Sequence, residues 1–222
     1  MKMATTVQEF RERLFNAKQL SRRRSAHDRF FEKLEHVQPP ANSSSAGALS
    51  LGVLRVVAEM AEAEKAGVIG RFAITGGMAV TYHSEPVYTV DLDVLALIPC
   101  EGSLIELGPI YEFFKQRGAT TSAEYLVMEG LKFQFIPAAT PLELEGLNHA
   151  VIVNERGLSF LVIDLEYLIA LKLAAGRNKD LLHIQILLDA PRRTIDFSRL
   201  EHILKSHELF IKWQQFRSRF AA

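Results

Sequence analysis

The chain predicts an α+β fold: a mixed sheet core with flanking helices, followed by a C-terminal helical bundle. Three observations carry this reading. From Leu49 to Ile163, short strand-length aliphatic runs alternate with stretches of helical spacing. From Asp164 onward, apolar residues recur only at helical spacing. Ahead of both, "QPPANSSSAG" (Gln38–Gly47) is rich in Pro, Ser, Asn and Gly, the composition of a linker. The expected organisation is an N-terminal helical or flexible segment with its linker over 1–48, an α/β core over 49–163 and a helical region over 164–222.

Residues 5–36 place Val7, Phe10, Leu14, Phe30, Phe31 and Leu34 among many charges, which suits one or two exposed helices. Within them "SRRRSAHDR" (Ser21–Arg29) reads either as a phosphate or nucleic-acid contact or as a solvated helix face. In "LSLGVLRVVAEMAEAEKAG" Leu51, Leu54, Val57, Met60 and Ala61 fall at helical spacing, and Gly67 offers a stop. "GRFAITGG" is a short strand running into two glycines, and "MAVTYHS" gives one or two helical turns. "VDLDVLALIP" is a strand that leaves an exposed end for a buried sheet.

"SLIELGPIYEFFKQRG" (Ser103–Gly118) reads as one helix ending at its glycine. "EYLVMEGLKFQFIP" gives two strands turning at Glu129-Gly130, and "PLELEGLNHA" a helix with Pro141 in its first turn. "AVIVNERGLSFLVI" is a second hairpin, turning near Asn154–Gly157. Four helices follow. Two are divided at Gly176, the first N-capped by Asp164, and two lie in "IDFSRLEHILKSHELFIKWQQFRSRF". There Phe210, Trp213, Phe216 and Phe220 share a helical spacing and read as a packing or dimer face.

Composition narrows the function. Among 222 residues, 26 Lys and Arg balance 26 Asp and Glu, so no bulk field points to nucleic acid or membrane. The single cysteine, Cys100, excludes an internal disulfide framework and fits a reducing cytosol. The apolar runs are too short to span a bilayer, and the charged start lacks the apolar stretch of a signal peptide. A cytoplasmic protein without membrane partners is expected.

The chemistry concentrates in "FAITGGMAVTYHSEPVYTVDLDVLAL" (Phe72–Leu97). Glycines at a strand-to-helix turn let the backbone approach a phosphate, and the helix start directs free N–H groups and its positive dipole end at that anion. Asp91 and Asp93, two apart on a strand, share one face while Leu92 and Val94 take the other. Such neighbouring carboxylates repel unless a cation neutralises them, which makes them natural Mg²⁺ ligands, with Mn²⁺ as the alternative. A solvated pair of acids, or acids paired with nearby Lys and Arg, is the other reading. Further on, "KLAAGRNKD" (Lys172–Asp180) groups Lys172, Arg177 and Lys179 with Asp180 at a helix start. It reads either as a phosphate-binding cluster or as a first-turn acid with solvated or paired neighbours.

In combination, strand, Gly-Gly, short helix and a strand bearing Asp-x-Asp, as in "GGMAVTYHSEPVYTVDLDV", resembles the nucleotidyltransferase (polymerase-beta-like) superfold. With the later "EYLIALKLAAGRNKDLLHIQILL" it is similar to the AbiEii-like, minimal-nucleotidyltransferase branch, over about residues 50–210. The resemblance implies Gly76 and Gly77 at the triphosphate, with Asp91 and Asp93 as catalytic residues and metal ligands. Thr75 and Thr89 would position the phosphate loop and the metal strand. His83, at the end of the short helix, reads either as a phosphate or Asp contact or as a capping histidine at the core edge. The implied reaction transfers NMP from a nucleoside triphosphate to a hydroxyl on RNA, tRNA or protein, in a toxin-antitoxin or defence setting. A cognate antitoxin or a second copy of the chain would be the partner.

Two departures from the pattern open an alternative. The superfold's third carboxylate belongs on the strand "LKFQFIP", where Gln134 stands, and an amide takes no proton at neutral pH. Val87 replaces a basic residue common two positions before Thr89. The alternative is therefore a degenerate nucleotidyltransferase fold that binds a nucleotide or a partner.

Overall fold

The structure, a computed structural model, describes residues 50–84, 87, 89, 91–101, 104–190 and 194–220. The expected N-terminal segment, its basic run and the linker lie outside the described residues.

Helix α1 (Leu51–Lys65) starts where Ser50 accepts a hydrogen bond from the Val53 amide, and buries the stripe of Val53, Leu54, Val57 and Met60. Strand β1 (Phe72–Ile74) leads through Thr75 into α2 (Gly76–His83), and β2 (Asp91–Ala96) follows. A two-stranded ribbon of β3 (Cys100–Glu101) and β4 (Leu104–Ile105) precedes α3 (Gly108–Lys115). Then come β5 (Thr120–Ser122), β6 (Tyr125–Met128) and β7 (Leu131–Pro137). After α4 (Pro141–Asn148) the hairpin β8 (Val151–Glu155) and β9 (Leu158–Val162) completes the sheet. Four helices end the chain: α5 (Leu165–Ala175), α6 (Asn178–Asp189), α7 (Phe197–Ser206) and α8 (Phe210–Phe220).

The fold is α+β around a mixed seven-stranded sheet ordered β5-β6-β7-β2-β1-β9-β8. Its centre combines parallel pairs β2/β7 and β1/β9 with the antiparallel pair β1/β2. On one face Phe133 and Phe135 of β7 meet Phe114 of α3 at ring separations of 5.2 and 5.5 Å. Leu92 and Val94 are fully buried. The opposite face carries Asp91, Asp93, Lys132 and Gln134, because alternate residues of β2 and β7 run in register. Helices α5 and α6 pack against α2, so the C-terminal helices close over the end of the sheet where those polar residues lie.

Two expectations need correction. The helix read over 103–118 begins only at Gly108, and its first residues form β4 instead. Pro109 is the reason. It fits the first helical turn, where its missing N–H costs nothing, and because proline disfavours helix ahead of it the helix extends only one residue before it, to Gly108. Strand β5 was not anticipated; it is three exposed residues whose role is to edge the sheet beside β6. The aromatic residues of α8 form a packing face, with Trp213 and Phe216 buried and stacked at 5.6 Å.

Candidate active site

The site begins with strand register. Ile74 pairs with Val94, and the Thr75 amide donates to the Asp93 carbonyl at 2.9 Å, carrying the β1/β2 ladder one step past the strand. The chain then turns into α2 directly beside the Asp93 side chain. Gly76 makes that turn with φ +64, and a Cβ there would sit 2.1 Å from Asp93 Oδ2. At Gly77 a Cβ would meet Thr89 Oγ1 at 2.7 Å. Gly76 is thus fitted to the carboxylate strand and Gly77 to Thr89 just ahead of it. Thr75 occupies the N-cap position, buried, but its side chain makes no capping bond.

Asp91 and Asp93 are both partly exposed at the end of β2, side by side on one face. The Thr89 hydroxyl lies 3.1 Å from the Asp91 carbonyl and 3.3 Å from its Oδ1, and donates to one of them at a time. Gln134 Nε2 donates to Asp93 Oδ1 at 2.7 Å. The amide thus stands where a third carboxylate was sought and is spent on holding Asp93. Among the described residues no group of three His, Cys, Asp or Glu side chains gathers around a possible metal position. At Val87 the amide reaches Thr81 Oγ1 at 3.3 Å, and its side chain packs on the core without offering charge.

The second half of the site comes from the C-terminal helices. Gly176 ends α5 in the left-handed conformation, and Arg177 opens α6. Asp180 in the first turn of α6 is buried, and Arg177 grips it with Nε at 2.6 Å and Nη2 at 3.3 Å. Lys172, buried on α5, places Nζ 3.6 Å from Asp180 Oδ1. Burial pushes the Lys172 ammonium below the usual lysine range, against the pull of Asp180 and, more weakly, of Asp93. Burial acts to raise the Asp180 pKa, but Arg177 and Lys172 together hold it below the ordinary carboxylate value. The hydrogen bond to Asp180 raises Arg177, and the charges of Asp93 and Asp91 reach it as well. Two cations therefore lie within the field of the β2 carboxylates, one of them, Arg177, anchored on Asp180 with its side chain still 64% exposed.

The remaining expectations divide. Lys179 is exposed and touches the cluster only through its charge on Asp180. His83 is buried, and its Nε2 donates to the Ile163 carbonyl at 2.7 Å, which makes it a core residue tying α2 to the end of β9. Three residues at the site were not singled out from sequence. Tyr125 on β6 has its phenol pushed up by burial, by the charges of Asp91, Glu124 and Asp93 and by a hydrogen bond with Asp91. Lys132, opposite Asp91, lies 5.9 Å from the Tyr125 ring. His183 on α6 is lowered by burial and by Lys172, and its Nδ1 is buried with no partner among the described residues. The signal for the first two was available: the tight turn at Glu129-Gly130 fixes which β6 and β7 residues share the carboxylate face.

The donor set suits a hard cation. Two carboxylates on one strand end, with a glycine turn at hand for phosphate oxygens, match the few protein ligands Mg²⁺ takes when substrate phosphates complete its shell. No helix among the described residues is long and apolar enough to cross a membrane.

No family model matches the chain, and no curated protein does. Among solved structures it is similar to an antigenic nucleotidyltransferase-like protein from Paracoccidioides brasiliensis, at 16% identity and TM-score 0.45, covering 78% of this chain and 93% of that one. It is similar also to the antibiotic-resistance factor ANT(2'')-Ia in solution, at 13% identity and TM-score 0.41, covering 77% and 95%. For the same factor in complex with adenylyl-2''-tobramycin the values are 15% and 0.39, covering 76% and 98%. These likenesses are distant, and the functional reading below rests on the site itself.

Proposed function

We propose that the protein is a nucleotidyltransferase that moves NMP from a Mg-bound nucleoside triphosphate to an acceptor oxygen. One observation carries the reading: a glycine-opened helix start, whose N-cap side chain makes no capping bond, abuts a strand bearing two carboxylates, and the charges of Lys172 and Arg177 reach that strand. A pair of solvated acids would need none of this construction. The α2 N-terminus would hold the phosphate oxygens on its amides, with the glycines giving close approach. Arg177, fixed by Asp180, would take charge on the triphosphate, and Lys172 would balance the acids from beneath. Asp91 and Asp93 would hold the metal, which when bound neutralises charge developing on the transferred phosphoryl group. Catalysis would be mainly positioning and charge compensation.

The finer assignments are part of this proposal. They are membership of the AbiEii-like branch, a cytoplasmic toxin-antitoxin or defence role, and a macromolecular acceptor. Their support is the run Lys172–Asp180, which belongs to the resemblance and falls at the site. A second reading, nucleotide binding without transfer, is favoured by one contact: Gln134 donates to Asp93 where a base would stand.

The test is transfer of label from each α-labelled NTP with Mg²⁺ or Mn²⁺, paired with thermal-shift titration of Mg-NTP. Label transfer that Asp91→Ala and Asp93→Ala abolish supports the enzyme. Binding without label under any condition leaves the second reading, and absence of both removes nucleotide function altogether.

A further inference from the structure

The two sides of β2 differ in what they offer, and the difference bears on the acceptor. On the β1 side the Gly76 turn and the start of α2 lie against Asp93. On the other side β7 pairs in register with β2, and β6 with β7, so Lys132 stands opposite Asp91 and Gln134 opposite Asp93. Tyr125, one step beyond the pairing of Leu126 with Phe133, falls on the same face as both. Neighbouring strands are about 4.8 Å apart, so a tyrosine two strands from β2 reaches the carboxylates with its hydroxyl.

Attacking and leaving oxygens of a phosphoryl transfer lie roughly in line. With the triphosphate on the α2 side, the acceptor must enter from the β7–β6 side. The groups waiting there are an ammonium, an amide and a phenol. The amide donates to Asp93 and the phenol to Asp91, and none of the three is a base at neutral pH. The carboxylates on this face are the two given to the metal. Glu124, whose charge reaches Tyr125, belongs to the β5–β6 turn and not to the strand face.

Resting on the transferase reading, we infer that the acceptor atom is an oxygen already ionised at neutral pH, that of a phosphate monoester. A hydroxyl must lose a proton to something, and among the described residues of β6 and β7 this face holds no base at neutral pH. A phosphate monoester has its second pKa near about 6 and arrives as the anion. One of its oxygens forms the bond to the α-phosphorus, and the bond from that phosphorus to the bridging oxygen breaks. Pyrophosphate leaves with the electron pair, and no proton has to be removed from the acceptor. The acceptor's remaining terminal oxygens would meet the Lys132 ammonium, which stands opposite Asp91. The product is a new pyrophosphate linkage.

The experiment offers the full chain matched acceptors with each α-labelled NTP and Mg²⁺: ribose against ribose 5-phosphate, and a short RNA with 5′-hydroxyl against 5′-phosphate. Label is expected on the phosphate-bearing member of a pair at least tenfold faster than on the other, and the two pairs separate a small-molecule source from a nucleic-acid end. Lys132→Ala should lower phosphate-acceptor use about tenfold through KM. Gln134→Glu should shift use toward the hydroxyl member. Equilibrium dialysis of ribose 5-phosphate or the 5′-phosphate RNA, with Mg²⁺ and a non-hydrolysable NTP analogue, should show binding that Lys132→Ala weakens. Label on hydroxyl members at a comparable rate overturns the inference and leaves the transferase intact. Mg-NTP binding with no label on any phosphate acceptor overturns it too, and no Mg-NTP binding at all removes the transferase reading first.

Discussion

Two clusters of charge sit at opposite ends of α5, and only one of them is finished. At the N-terminal end Asp164 caps the helix, and Arg199 of α7 bonds Asp164 at 2.7 Å and Glu166 at 3.1 Å. Glu166 also accepts from the Asp196 amide at 2.9 Å, and the Arg199 guanidinium lies over the Tyr167 ring at 5.6 Å. Tyr167 stacks on His149 and reaches Glu145, which His207 bonds at 2.9 Å. Each acid there has a partner of the same chain. Near the C-terminal end Asp180 is similarly satisfied by Lys172 and Arg177, yet the partly exposed Asp91 and Asp93 meet uncharged donors, Thr89 and Tyr125 at Asp91 and Gln134 at Asp93. Buried ion networks fasten helices. Half-exposed carboxylates left short of cations are what a substrate completes.

The largest effect should separate the two ends. Asp93→Ala should reduce nucleotidyl transfer by about a thousandfold or more, as expected when metal and phosphate positioning are lost together. Its stability should change by under about 1 kcal/mol, because a partly exposed acid beside another acid contributes little to folding. Arg199→Ala should do the reverse. Breaking a buried pair costs roughly 3–5 kcal/mol, and with the Arg199 side chain 37% exposed a cost of about 2–3 is expected. The Mg-NTP affinity of the remaining folded protein should be unchanged. Thermal unfolding and nucleotide titration on both variants check this, and a parallel loss of both properties in either one would erase the contrast.

Next comes Gly76→Ala. The added methyl would enter Asp93 Oδ2 at 2.1 Å in a backbone conformation that L residues avoid. A stability loss of roughly 1–3 kcal/mol is expected, with Mg-NTP binding weakened at least tenfold even at temperatures where the variant is folded. Gly118, also at positive φ but with open space around its would-be Cβ, is the control: its alanine variant should carry strain alone and leave binding untouched.

Acid should read the two clusters differently. The folded pKa values of Asp164 and Asp180 lie below the ordinary 3.8, so their stabilisation is complete above that pH and is lost as pH falls through the folded values. Burial and the neighbouring Asp164 raise Glu166 above 4.5, so its ionised form weighs against the fold and that cost fades as pH falls toward 4.5. Unfolding free energy should stay level or rise slightly from pH 7 to about 5, then fall below about 4. Asp180→Asn should flatten the final fall, and an unchanged slope in urea titrations across that range would remove Asp180 from the account.

Much of this was legible in the sequence because it depends on local rules. The strand, glycine turn and helix around Gly76-Gly77, the alternation of β2, the hairpins and the N-cap at Asp164 follow from spacing and from residues with one conformational use. Gln134 was readable for the same reason, since alternation fixes its face. What escaped needs distance in the chain. That Gly76 is fitted to Asp93 depends on β1/β2 register, and that Tyr125 and Lys132 reach Asp91 depends on how β6 and β7 pair. The roles of Lys172, Arg177 and Lys179 differ only once α6 has packed on α2, which no local pattern states.

That last trio gives the smallest effect and the sharpest form of the comparison. Arg177 is held in two-point contact with buried Asp180, so its charge is presented in a fixed direction. Lys179, two residues on, is exposed. As a cation in the first turn of α6 it faces the positive end of the helix dipole, which costs a few tenths of a kcal/mol. Arg177→Ala should weaken Mg-NTP binding about tenfold, the worth of one oriented charge-assisted hydrogen bond. Lys179→Ala should change it less than twofold and leave stability level or slightly improved. Titrations at low and moderate salt decide: solvated charge is screened and a built contact much less so. If Lys179→Ala costs as much as Arg177→Ala at both salt levels, fixed geometry is not what separates the two cations.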